Sequence, residues 1–146
     1  MPPVLLLVDD APEIVLIAQR LGRRAGQEVI GCPDVPTARQ ALARRRPDLL
    51  AVDLHLPGPS GLELLQEARA DRGLTTAVLG HWERPGDLAA GLEAGANFVL
   101  PKELLTQPEA WQGRVAEALA GAHGRADLLS LDWVPTEPPP PEQCVD

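Results

Sequence analysis

The stretch Leu49-Leu50-Ala51-Val52-Asp53-Leu54-His55-Leu56-Pro57-Gly58-Pro59-Ser60-Gly61 decides the fold. Its first part, Leu49 to Leu54, is apolar except for Asp53. A short, continuous apolar run fits a strand buried on both faces, as in the middle of a parallel sheet. Asp53 falls at the end of that strand. The Gly/Pro loop from His55 to Gly61 stops the extended chain, and a helix follows with Leu62, Leu65 and Ala68 facing inward.

The same unit repeats on either side. Val4 to Val8 is a second continuous apolar run, bounded by Pro3 and Asp9. From Asp10 to Ala25 the spacing predicts a helix with Ile14, Ile17, Ala18, Leu21 and Ala25 on one face. Asp10 and Glu13 have the spacing of an N-cap and its partner, and Gly26 ends the helix. Glu28 to Gly31 is a mixed strand that suits a sheet edge. A helix from about Asp34 to Arg46 then turns Val35, Ala38 and Leu42 inward, with Arg44, Arg45 and Arg46 complementing its dipole. Ala77 to Leu79 and Phe98 to Leu100 are further strands. Between them a loop, Gly80 to Gly86, leads into a short helix carrying Leu88 and Leu92. Thr106 and Glu109 have the spacing of a capping box for a last helix with Trp111, Val115, Ala118, Leu119 and Ala122 inward.

Five strand–helix units predict an α/β fold, a doubly wound parallel sheet of order 2-1-3-4-5 flanked by five helices. In that arrangement functional groups gather at the carboxyl ends of the strands. The domain is expected over residues 1–124. Residues 125–146 form a Pro-rich tail, extended or disordered, with four consecutive prolines at Pro138 to Pro141.

Composition narrows the function. The chain has 146 residues, 45% hydrophobic, and carries a formal net charge of −8. An acidic chain of this kind lacks the basic face that direct nucleic-acid binding needs and the attraction for an anionic membrane surface. No apolar run approaches the roughly 20 residues of a membrane-spanning helix. The two cysteines, Cys32 and Cys144, make no disulfide framework, which fits the reducing cytoplasm.

Asp9 and Asp10 end the first strand and Asp53 the third. The sheet order makes those strands neighbours, so the three carboxylates converge at one rim. Like charges raise one another's pKa. A hard divalent cation removes that cost, and Mg²⁺ accepts one or two carboxylates while keeping several waters. Lys102 ends the fifth strand at the same rim. Of the 13 cationic residues it is the one lysine, the other 12 being arginine. Its slender ammonium can meet a phosphoryl oxygen or a carboxylate as a point charge.

Three stretches now resemble one family. They are Val4-Leu-Leu-Leu-Val-Asp-Asp10, Asp48 through Leu65 with its Pro-Gly loop, and Glu93-Ala-Gly-Ala-Asn-Phe-Val-Leu-Pro-Lys102. In order and spacing the chain resembles the receiver domain of bacterial two-component response regulators, from about Val4 to Ala122. The resemblance implies that Asp53 is the phosphoacceptor and that Lys102 pairs with the incoming phosphoryl group. It implies Mg²⁺ bound by Asp10, Asp53 and the backbone carbonyl of His55, with Asp9 acting through water. It implies a sensor histidine kinase or phosphotransfer protein as donor. The output would be a downstream protein or a second copy, bound on the face of the fourth helix, fifth strand and fifth helix. Such a domain catalyses its own phosphorylation and slow dephosphorylation without being a turnover enzyme.

The chain departs from the family at its switch. Gly80 stands where relatives have Ser or Thr, and Val99 where they usually have an aromatic residue. Loss of a hydrogen bond to a charged group weakens the bias toward an active state by roughly ten- to a hundredfold. His81 follows Gly80, where the family prefers a small residue, and Trp82 comes next; either their bulk narrows access to Asp53, or His81 or His55 contacts the phosphoryl group or influences its hydrolysis. The expected function is a single-domain receiver with an atypical switch. The alternative is a phosphorylation-independent adaptor. A Mg²⁺-dependent phosphatase with an aspartyl nucleophile usually has a second acid two residues after it, and here that residue is His55. The Pro-rich end also suits a linker to an output domain beyond Asp146.

Overall fold

The computed structural model describes residues 2–71 and 73–120. Five parallel strands make one sheet: β1 Val4–Val8, β2 Glu28–Cys32, β3 Leu49–Asp53, β4 Thr75–Gly80 and β5 Phe98–Pro101. Their order is β2-β1-β3-β4-β5, as the sequence predicts. The helices are α1 Pro12–Arg24, α2 Val35–Arg44, α3 Gly61–Ala68, α4 Pro85–Glu93 and α5 Pro108–Leu119, with a 3-10 helix over Lys102–Thr106. Among the described residues no helix is long and apolar enough to cross a membrane.

Side chains alternate across each strand, so every central strand feeds two cores. Leu6, Val8, Leu50, Val52, Val78 and Val99 face a layer that includes Ala38, Leu64, Leu65 and Leu88, from α2, α3 and α4. Leu5, Leu7, Ala51, Leu79, Phe98 and Leu100 face Ala18, Leu21, Trp111 and Val115, from α1 and α5. This is why β1, β3 and β4 are buried throughout, whereas β2, with one neighbour, is half-exposed. The change of direction falls between β1 and β3, and there the strand ends open a crevice.

Local differences from the sequence reading have physical causes. β4 starts at Thr75, because the two buried threonines are accommodated. The Thr76 N–H donates to Asn97 Oδ1 at 3.0 Å, and both threonines are buried. Asp10 does not cap α1. Ala11 precedes a first turn that begins with Pro12, and the Ala11 N–H donates to Asp9 Oδ1 at 2.9 Å. Ile17 is 36% and Leu16 49% exposed, and Ala25 lies beyond the helix, so the inner face of α1 is narrower than expected. In α3 the buried pair is Leu64 and Leu65, with Leu62 half-buried. No capping box forms at α5: it starts at Pro108, and the Thr106 hydroxyl donates instead to the Glu103 carbonyl at 2.8 Å. Trp111 is core, 1% exposed. Ala122, the tail from 125 to 146 and Cys144 lie outside the described residues.

The arginine triplet divides. Only Arg44 lies in the last turn of α2. Arg45 makes a two-pronged ion pair with Glu28 at 2.9 and 3.2 Å. Arg46 does the same with Asp71 at 2.6 and 3.0 Å. Once the helix stops at Arg44, those two side chains are free to staple neighbouring segments.

Gly61 starts α3 directly against the end of β3. A Cβ there would run into the Asp53 carbonyl oxygen and stand 2.9 Å from Val52 Cγ1. Gly61→Ala is therefore expected to lower stability by about 1–3 kcal/mol, the usual cost of overpacking, read as a lower urea midpoint. At α2, Asp34 Oδ1 accepts from the Thr37 N–H at 2.9 Å. Hydrogen bonding with Thr37 holds the Asp34 carboxyl below its usual range. That contribution to stability is complete above pH 3.8 and is lost as pH falls through the lowered folded-state value. Asp34→Asn keeps an acceptor for the cap, so its urea midpoint should fall less steeply than the parent's below pH 3.8.

Candidate functional site

The register of the sheet assembles the site. Val8 pairs with Val52, so Asp9 and Asp53 leave neighbouring strands at the same level. Gly80 pairs with Pro101, which brings Lys102 to that rim. The predicted residues Asp9, Asp10, Asp53 and Lys102 therefore meet. Carboxylate oxygens of the three aspartates all lie within 4.8 Å of one another.

The Lys102 Nζ donates to Asp53 Oδ2 at 2.8 Å and stands 2.8 Å from Asp9 Oδ2 in an ion pair. Asp53 Oδ1 accepts from the His55 N–H at 3.0 Å. Asp9 and Asp53 are 1% and 6% exposed, whereas Asp10 is open to solvent. Burial pushes the Asp9 carboxyl up, against the pull of Lys102 and the Ala11 N–H. Burial pulls the Lys102 ammonium down, but the adjacent carboxylates of Asp53 and Asp9 outweigh that, and its pKa ends above the usual lysine value.

A hard cation fits this donor set. Three carboxylates against one ammonium leave an excess of two negative charges in a partly dry site. Asp9 Oδ2 is buried and has no aligned hydrogen-bond donor, its one close contact being the ion pair with Lys102. Oxygen-only ligands of this kind suit Mg²⁺ better than a softer metal.

The family model of the response regulator receiver domain matches residues 5–110. This chain belongs to that family. Among curated relatives, the receiver is 33% identical over 111 residues to the DNA-binding response regulator MtrA of Mycolicibacterium smegmatis, covering 73% of this chain and 49% of that one. It is 34% identical over 123 residues to Protein PetR of Rhodobacter capsulatus, covering 81% and 52%. The chain thus spans about half the length of the curated relatives it matches. A solved putative response regulator from Chloroflexus aurantiacus is similar at 31% identity with TM-score 0.76, covering 83% of this receiver and 100% of that chain. The chemotaxis response regulator CheY4 of Vibrio cholerae shares the fold at 22% identity and TM-score 0.72, covering 81% and 99%.

Gly80 and Val99, the positions read from the sequence as an atypical switch, are packed into the core. Gly80 is buried at the end of β4, and a Cβ there would stand 3.1 Å from Leu88 Cδ2 of α4. Val99 is fully buried in the core under α2, α3 and α4. Its carbonyl accepts from Arg114 Nε at 3.2 Å, and the buried Arg114 guanidinium lies 5.9 Å over the Phe98 ring.

Beside Asp53 a cleft of about 170 Å³ remains open, bounded by Gly80, His81, Arg84, Asp87 and Lys102 among others. Trp82 does not close it, contrary to the sequence expectation, because the indole packs against both cores. His81 does line it, with Nδ1 3.1 Å from Glu103 Oε2. Glu103 Oε1 also accepts from the Trp82 N–H at 3.1 Å. On the other side His55 Nε2 lies 2.8 Å from Asp87 Oδ2. Glu103, Asp87, Arg84 and Arg114 were not legible as site or switch residues. Only the place of Glu103, directly after Lys102, offered a signal.

Replacing Lys102 by Met strands two buried carboxylates. Without divalent cation the variant should lose about 3–5 kcal/mol, and added Mg²⁺ should restore part of it. The lysine's raised pKa gives the sign at high pH. Its stabilisation is complete below pH 10.5 and is lost as pH climbs through the higher folded-state value. Urea midpoints of the parent should therefore drop along that limb, and those of Lys102→Met should stay flatter.

Proposed function

We propose that this receiver accepts a phosphoryl group on Asp53 in Mg²⁺-dependent phosphorelay signalling. The observation that carries the reading is the buried Lys102 ammonium bonded to Asp53 inside the cluster of Asp9, Asp10 and Asp53. The donor is a sensor histidine kinase or a phosphotransfer protein. One carboxylate oxygen of Asp53 attacks phosphorus. The bond from phosphorus to the donor breaks, and the donor leaves with that electron pair. Asp53 then holds an acyl phosphate, which water later hydrolyses.

The chain's residues have distinct parts in this reaction. The His55 N–H, on Asp53 Oδ1, aims the carboxylate toward the cleft. Lys102, already 2.8 Å from Asp53, neutralises the phosphoryl oxygens as they arrive. Asp10, Asp53 and the His55 carbonyl would hold Mg²⁺ directly, and Asp9 through water. The ion supplies charge neutralisation at the transferring group. Asp9 meanwhile keeps Lys102 at the rim. In this reading the protein modifies itself and does not turn over a substrate. We assign it to the cytoplasm, on the buried free thiol of Cys32. Its acidic surface does not suit direct contact with nucleic acid.

The face of α4, β5 and α5 would carry the output, to a downstream protein or a second copy of the chain. The seating of Leu88 against Gly80 favours a second reading, a receiver-like adaptor whose contacts ignore phosphate. Intact mass separates the two. Incubation with Mg²⁺ and acetyl phosphate should add one phosphoryl group, and neither Asp53→Asn nor a Mg²⁺-free sample should gain it. If the parent gains no mass, His81→Ala tests whether the cleft merely excludes the donor. Silence in both would leave the adaptor reading.

A further inference from the structure

We propose that Arg84 binds the phosphoryl group on Asp53, in place of a side-chain hydroxyl at the end of β4. The proposal rests on the phosphorylation reading and concerns the same cleft. A phosphoryl group brings close to two negative charges and three strong acceptor oxygens. Lys102 supplies one donor. Gly80 supplies no side chain, and a Cβ there would sit tightly against the fully buried Leu88, 3.1 Å from its Cδ2. A further donor must therefore come from the loop between β4 and α4.

The two histidines at the cleft each have a ring nitrogen engaged by an acid. His81 is turned to Glu103 at 3.1 Å, and His55 to Asp87 at 2.8 Å. Arg84 also borders the cleft, and its guanidinium makes no hydrogen bond or ion pair among the described residues. Asp87, three residues on at the same cleft, is engaged by His55. Arg84 nevertheless has a defined seat. Its N–H donates to the His81 carbonyl at 3.0 Å, and its carbonyl accepts from the Asp87 N–H at 3.0 Å. It is the residue immediately before α4. The planar fork can present two N–H groups to one phosphoryl group, which an ammonium cannot do. Binding there pulls directly on the start of α4, and so connects Asp53 to the output face without a hydroxyl–aromatic pair.

The test uses beryllium fluoride with Mg²⁺ as the phosphoryl mimic, followed by fluorine NMR on the full chain. Arg84→Ala should bind it about ten- to a hundredfold more weakly than the parent, as expected for one hydrogen bond to a charged group. Arg84→Lys should recover only part. The urea midpoint without the mimic should stay at the parent value, since Arg84 is exposed. Arg44→Ala, at the far end of α2, controls for overall charge and should bind as the parent does. Equal affinity of parent and Arg84→Ala would overturn the assignment while leaving phosphorylation intact. A parent that takes up neither the mimic nor a phosphoryl group from acetyl phosphate would overturn the phosphorylation reading, and the role of Arg84 with it.

Discussion

The ammonium of Lys102, 2.8 Å from Asp9 and 2.8 Å from Asp53, is the interaction on which the rim of this receiver depends. It offsets like charges that two buried strands force together. Each participant is set by a different part of the fold. Asp9 requires β1 to run beside β3. Asp53 requires β3 to end at that level, and Gly61 lets α3 begin there without collision. Lys102 requires β5 to lie two strands away with its end at the same rim. A one-residue slip in any of these strands would send its acid or lysine to another face.

The ammonium alone leaves the cluster negative. That imbalance is what the proposed divalent cation would offset, leaving room for the proposed phosphoryl group on Asp53. An apolar or fully paired rim would be more stable, but it would have no reason to bind either. The buried, unaligned oxygen of Asp9 is the local sign of this tension.

Around the rim, the two positions that lack the family's usual hydroxyl and aromatic side chains are packed against the core. Leu88 occupies the room beside Gly80, and Val99 is sealed in the core. Polar contacts have moved outward to the loops. Glu103 holds His81 and the Trp82 N–H on one side, and Asp87 holds His55 on the other. Trp82, packed against both cores, ties that loop to the layers on either face of the sheet.

The sequence by itself determined the strands, the sheet order and the meeting of Asp9, Asp10, Asp53 and Lys102. Continuous apolar runs and period-3.6 spacing are local patterns, and parallel strand–helix units admit few topologies. Helix starts were less legible. Asp10 and Thr106 have the chemistry of caps, but Pro12 and Pro108 suit the first turn of a helix and set where each one begins. Only the tertiary structure decided the partners of His55, His81 and Glu103. Those pairs join residues far apart in the chain, and a surface histidine or arginine carries no periodic signal of what stands opposite it. The same holds for Gly80. Its missing side chain is plain in the sequence, but the leucine that fills its place comes from a helix whose docking only the folded core specifies.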